Sequence, residues 1–132
     1  MTSSLRIPRS RGKTENFALT DSAADTFAFL ARPWMPQLLF LLGQRDARYS
    51  EIRQVLPTLS SRVLTERLRE LCEVGLAVRV VPGNQPSKVL YSLTDDGQGL
   101  AAGLNLIGQW ADTTMEGTGQ GPDGTVARHR AN

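Results

Sequence analysis

The hydrophobic period of this chain changes from that of a helix to that of a strand at Gly75, and that change restricts the fold more than any other feature. The stretch LSSRVLTERLRELCEVGL, Leu59 to Leu76, repeats about every 3.6 residues, the period of a helix. Leu64, Leu68, Leu71 and Cys72 fall on one stripe, and Arg62, Thr65, Glu66, Arg69 and Glu73 on the opposite side. Beyond Gly75, Leu76, Val78 and Val80 alternate with Ala77, Arg79 and Val81, and Val89, Tyr91 and Leu93 alternate with Leu90 and Ser92. An amphipathic helix therefore runs straight into two short strands. Its ends are marked: Ser60 and Ser61 offer N-cap hydroxyls, and Gly75 stands where a left-handed C-cap is needed. Taken alone, such a helix is a solvated surface helix with ion pairs such as Arg62 with Glu66 and Arg67 with Glu70.

Its neighbours point to something more specific. The connector PGNQPSK between the strands is longer than a usual hairpin loop of about 2 to 5 residues and reads as a projecting loop. Upstream, Tyr49 can make one short strand pairing. Ser50 then caps a brief helix containing Ile52, Val55 and Leu56, which Pro57 ends. Only Thr58 and Leu59 separate that helix from the longer one, so the two form a helix-turn-helix pair. Followed by a long-looped hairpin, the pair predicts a winged helix-turn-helix: mainly α with a small β-hairpin, an α+β chain.

The remaining elements frame this unit. A first helix is expected from Ser22, in an S-x-x-D pattern with Asp25, to about Ala31, with Ala23, Phe27 and Leu30 at helical spacing. A second is expected from Trp34 to Leu42, stopping at Gly43, with Pro33 and Pro36 in its first turn, where the missing amides have no helical partner. It would bury Trp34, Met35, Leu38, Leu39 and Leu42. Thr94 caps a last helix with Asp95 and Asp96 favourably placed in its first turn. That helix carries two apolar ridges, Leu100, Leu104, Ile107 and Ala111 beside Gly103, Leu106 and Trp110. Its glycines 99, 103 and 108 each cost about 1 kcal/mol relative to alanine, so a second subunit is expected to pack there, with glycines allowing close approach.

At 132 residues the chain is most simply one domain, residues 17–115, between a disordered basic arm, 1–16, and a disordered Gly-rich tail, 116–132. The net charge of +2 is uneven. The arm carries Arg6, Arg9, Arg11 and Lys13 against Glu15, whereas the central segment has nine basic against ten acidic groups. Any nucleic-acid contact must therefore depend on where the arginines lie. The longest apolar run, Leu38 to Leu42, is far too short to span a membrane, and the N-terminus has no apolar leader, so a cytoplasmic protein is expected. Cys72 has no disulfide partner in the chain, no cysteine and histidine spacing suggests a metal site, and no cofactor is expected. No nucleophile and base pair or phosphate-binding glycine loop points to an enzyme.

Several segments resemble the HxlR-type transcriptional regulators, winged-helix proteins related in architecture to the MarR group. They are RVLTERLRELCEVGL (Arg62 to Leu76), YSLTDDG (Tyr91 to Gly97), YSEIRQVLP (Tyr49 to Pro57) and Trp34. The resemblance spans roughly Asp21 to Ala111. It implies a homodimer joined through the first and last helices, with two recognition helices and two wings facing a palindromic operator. Two departures stand out. Members often carry a cysteine at the start of the first helix, where this chain has Asp21, and the common Gly-Gly-Lys before the tryptophan is replaced by Ala31, Arg32 and Pro33. Cys72 lies instead on the inner stripe of the recognition helix, where a small buried hydrophobe is expected.

Sequence-specific binding to double-stranded DNA is accordingly expected from Ser60, Ser61, Arg62, Thr65, Glu66 and Arg69. Arg62 is best suited to guanine O6 and N7. Ser50, Arg53, Arg79 and Lys88 would hold phosphates. Phe27, Trp34, Met35, Phe40, Leu106 and Trp110 are candidates for a ligand or dimer pocket that a small apolar effector could use. The competing reading, favoured by the slightly acidic central segment, is a winged-helix module that binds protein and no DNA.

Overall fold

The computed structural model describes residues 17–115; the expected arm and tail lie outside the described residues. The chain divides into a unit ending at Pro33 and one beginning at Trp34. In the first, α1 spans Asp21–Leu30 and none of its residues is buried. Thr20, not Ser22, is its N-cap: the Thr20 hydroxyl accepts the Ala23 N–H at 3.1 Å. The helix ends one residue short of expectation, with Ala31 as its cap.

The second unit opens on Trp34, which has a left-handed φ of 70° and caps α2, Met35–Gln44, without a side-chain hydrogen bond. Trp34 thus precedes the helix it was expected to open. Pro36 sits in the first turn as expected, but Pro33 falls before the helix. Nor does Gly43 end α2. It lies inside the helix because α5 comes close there: a Cβ at Gly43 would meet the Ala101 Cβ at 2.8 Å.

The short strand pairing comes two residues earlier than expected. Ala47, not Tyr49, bridges Tyr91, exchanging hydrogen bonds of 3.1 and 2.8 Å. The reason is local. The Glu51 carboxylate accepts the Arg48 N–H at 2.8 Å, so α3, Tyr49–Val55, starts after Arg48 and takes Tyr49 as its first residue. Ser50, expected as the cap, lies exposed in the first turn.

The long amphipathic helix, α4, spans Ser61–Glu73 and is capped as its sequence indicates, with the Ser60 hydroxyl accepting the Val63 N–H at 3.2 Å. At its other end Gly75 adopts φ 80°. The Gly75 N–H reaches the Cys72 carbonyl at 3.1 Å and the Leu76 N–H the Leu71 carbonyl at 2.9 Å, the paired bonds of a Schellman cap. β1, Ala77–Val80, then pairs antiparallel with β2, Leu90–Leu93, placing Ala77 opposite Leu93 and Arg79 opposite Tyr91. The small Ala77 and Leu93 face inward, while Val78 and Val80 stay exposed. The loop between the strands folds into two successive 3-10 turns, Pro82–Asn84 and Pro86–Lys88, both exposed.

The core is assembled from Met35, Leu38, Leu39 and Leu42 of α2, Ile52 of α3, Leu59, and Leu64, Leu68 and Leu71 of α4. Ala77, Leu93 and Ala101 close it. α5, Asp95–Met115, packs along α2, with Gly108 admitting the Phe40 ring: a Cβ at Gly108 would lie 2.7 Å from it. Of the three glycines expected to admit a second subunit, Gly108 thus serves contact within the chain, and only Gly99 and Gly103 face open space. The start of α5 is tied to the end of α4. The Thr94 hydroxyl accepts the Gly97 N–H at 3.1 Å and donates to the Gly75 carbonyl at 2.8 Å, while Gly97 lies against the Leu76 carbonyl. Replacing Gly97 with alanine should cost about 1–3 kcal/mol, because its methyl group meets backbone that cannot move independently. Gly99→Ala, in open space on the same helix, should instead stabilise by up to about 1 kcal/mol. Urea midpoints of the two variants provide the comparison.

Candidate nucleic-acid interface

The polar side of α4 is accessible because its apolar stripe is consumed by the core. Ser61, Arg62, Thr65, Glu66 and Arg69 line a shallow concavity of about 520 Å³, and Tyr49 from α3 completes it. The charges on this helix are not equivalent. Arg67 and Glu70 pair at 3.1 Å with both side chains only 12% exposed, so this pair holds structure rather than offering a contact. Arg69 is tied to Glu73 at 2.6 Å on the surface. The expected Arg62 and Glu66 pair does not form: Arg67 lies between two carboxylates, and Glu66 approaches it at 3.9 Å. Among the described residues no carboxylate pairs with Arg62, whose exposed guanidinium keeps its donor fork free.

Sequence reasoning passed over Tyr49 as a member of this face. Its phenol donates to the Ser61 carbonyl at 3.0 Å and accepts from the Thr65 hydroxyl across a longer 3.5 Å. The Thr65 hydrogen bond, with Arg53 nearby, lowers the phenol pKa from its usual range, partly opposed by burial. An aromatic residue opening α3 four positions before Arg53 was the available signal. Arg53 itself is half-buried, with Nε enclosed and without a hydrogen-bond partner among the described residues. Ser60 is occupied as the N-cap of α4, and Ser50 is exposed on α3. Arg79 lies on the face of β1 shared with Ala77, close enough to Cys72 for its charge to act on the thiol; Lys88 is exposed at the end of the second turn of the loop.

The six residues considered for a pocket differ in exposure. Met35 is wholly buried. Trp34 is half-buried, Leu106 and Trp110 lie 64% and 56% exposed on α5, and Phe27 is exposed on α1. Phe40 alone of the set lines an open apolar groove of about 320 Å³, together with Pro36, Leu41, Leu56, Leu104 and Ile107.

A helix-turn-helix pair whose second helix presents a free arginine, followed by an exposed wing, is the arrangement of a winged helix-turn-helix. The sequence profile of the HxlR-like helix-turn-helix family matches residues 29–118. The chain belongs to this family. It is 44% identical over 82 residues to the HTH-type transcriptional regulator YvaP of Bacillus subtilis, covering 62% of this chain and 76% of YvaP. The reduced form of the transcriptional regulator YodB from B. subtilis superposes with a TM-score of 0.63 at 30% identity, covering 75% of this chain and 97% of YodB. The redox regulator HypR in its reduced form gives 0.64 at 29% identity, covering 70% and 92%. Members of the HxlR-like family are transcriptional regulators rather than enzymes, and this chain is a DNA-binding regulator of the same class.

YodB is also known in diamide-treated and quinone-bound forms, and HypR in an oxidised one. The single cysteine of this chain is half-buried on α4. Burial raises the Cys72 pKa above the ordinary thiol range, with the Arg79 charge opposing only in part. A raised pKa keeps the thiol protonated and slow to react at neutral pH. Its contribution to stability is whole below the unfolded-state pKa and is lost as pH rises through the folded-state value. Alkylation by iodoacetamide near neutral pH should therefore be slower in the native protein than in the urea-unfolded chain. Equal rates would show that Cys72 is not shielded.

Proposed function

We propose that this regulator acts in the cytoplasm as a homodimer on a palindromic operator, with α4 of each subunit in the major groove. The free, exposed Arg62 on the concave face of α4 carries this reading. Its planar fork suits guanine O6 and N7, and Ser61, Thr65, Glu66 and Arg69 share its face. Ser50, Arg53, Arg79 and Lys88 serve as phosphate contacts, and the Ser60 cap fixes the start of α4. The exposed Leu106, Ile107 and Trp110 on α5 support dimerisation, since so much apolar surface on one helix calls for a partner. The groove beside Phe40 is suited to a small apolar effector.

Base reading and phosphate anchoring separate experimentally. Arg62→Ala should cost about 1–3 kcal/mol on the preferred operator and much less on nonspecific DNA. Lys88→Ala should weaken binding to all sequences and flatten the salt dependence by about one unit per subunit engaged. If both variants keep wild-type affinity, preference and salt slope, the protein-binding reading replaces this one. Leu106→Glu or Trp110→Glu should shift the protein toward monomer in light scattering; a wild-type protein that is monomeric at high concentration rules out the dimer.

A further inference from the structure

The three threonines of α1, α4 and α5 with mapped hydroxyl bonds do not behave alike. Thr26 donates to the Ser22 carbonyl at 2.8 Å and Thr113 to the Gln109 carbonyl at 3.1 Å, each four residues back along its own helix. For Thr65 that acceptor would be the Ser61 carbonyl, which instead receives the Tyr49 phenol at 3.0 Å. Thr65 donates to the phenol oxygen. A carbonyl can only accept, so the direction of this chain is fixed: the phenol proton goes to Ser61, and the Thr65 proton goes to the phenol. With its proton turned toward the phenol across 3.5 Å, the Thr65 oxygen offers its lone pairs from the concave face it shares with Arg62.

We propose that Tyr49 is a specificity-positioning residue: by occupying the Ser61 carbonyl, it turns Thr65 into a hydrogen-bond acceptor in the groove, selecting a base that presents an amino group. In the major groove those bases are cytosine, through N4, and adenine, through N6; guanine O6 and thymine O4 are acceptors and offer the Thr65 oxygen no hydrogen. The inference rests on the reading of α4 as the base-reading helix and names what one of its residues recognises. Tyr49 acts through Thr65. Without the phenol hydroxyl, Thr65 falls back on the Ser61 carbonyl, as Thr26 and Thr113 do on theirs, and its acceptor is drawn onto the helix backbone.

Selection of bound sequences from random duplexes, run in parallel on the wild type, Tyr49→Phe and Thr65→Val, tests this. Tyr49→Phe retains the ring, and its urea midpoint should stay close to that of the wild type. One position per half-site should favour cytosine or adenine in the wild type and lose that preference by roughly two- to tenfold, the worth of one hydrogen bond, in both variants. Preferences elsewhere and the salt slope should not move, whereas a merely loosened α4 would erode all positions together. An unchanged profile in Tyr49→Phe, uniform erosion, or a Thr65-dependent preference for guanine or thymine overturns the role of Tyr49 and leaves the operator reading standing. A wild type that selects no sequence overturns both.

Discussion

The turn at Gly75 and Leu76 sets the geometry of the DNA-binding unit. There α4 ends, β1 begins, and the return from β2 into α5 is tied down: the Thr94 N–H binds the Leu76 carbonyl at 3.0 Å and its hydroxyl the Gly75 carbonyl. Gly75 must take a left-handed φ, and Gly97 must come against the Leu76 carbonyl with no side chain between. One turn thus couples α4 to the wing and to the helix proposed to join two subunits. Its dependence on two glycines and one threonine leaves little freedom to alter one element without moving the others.

The division of charge on α4 follows from its packing. With Leu64, Leu68 and Leu71 held in the core, Arg67 and Glu70 are drawn together where little solvent reaches them, and Arg69 and Glu73 pair one turn apart. Arg62, near the helix start, has no such partner among the described residues. A helix with equal numbers of acidic and basic residues can therefore present a free arginine on one face. The weak overall charge is consistent with modest nonspecific attraction and a larger role for directed contacts.

The winged helix was legible because its signals are local. The Ser60 cap, the stripe through Leu64 and Leu71, Gly75 and the alternation after it each follow from a few neighbouring residues, and so did α4 and the hairpin. Sequence reading failed where distant contacts decide. Gly43 resembles a helix stop, yet it is an approach point for Ala101, and Gly108 resembles a subunit contact, yet it admits Phe40. Tyr49 carried strand character but was claimed by α3 once Glu51 bound the Arg48 amide. Its hydroxyl reaches Ser61, twelve positions away, a link no periodicity could signal. The polar face of α4 was readable as a list of residues; which of its arginines is free and which is committed was not, because Arg67 draws both Glu66, the expected partner of Arg62, and Glu70.

The central claim is that α4 of each subunit reads the major groove, and methylation interference on a selected operator tests it directly. Methyl groups at guanine N7 project into the major groove and those at adenine N3 into the minor groove. Binding should be blocked by N7 methylation at two clusters about one helical turn, or a multiple of it, apart, and be little affected by N3 methylation between them. Interference confined to adenine N3, or none at either position on DNA that the protein still binds, would contradict it.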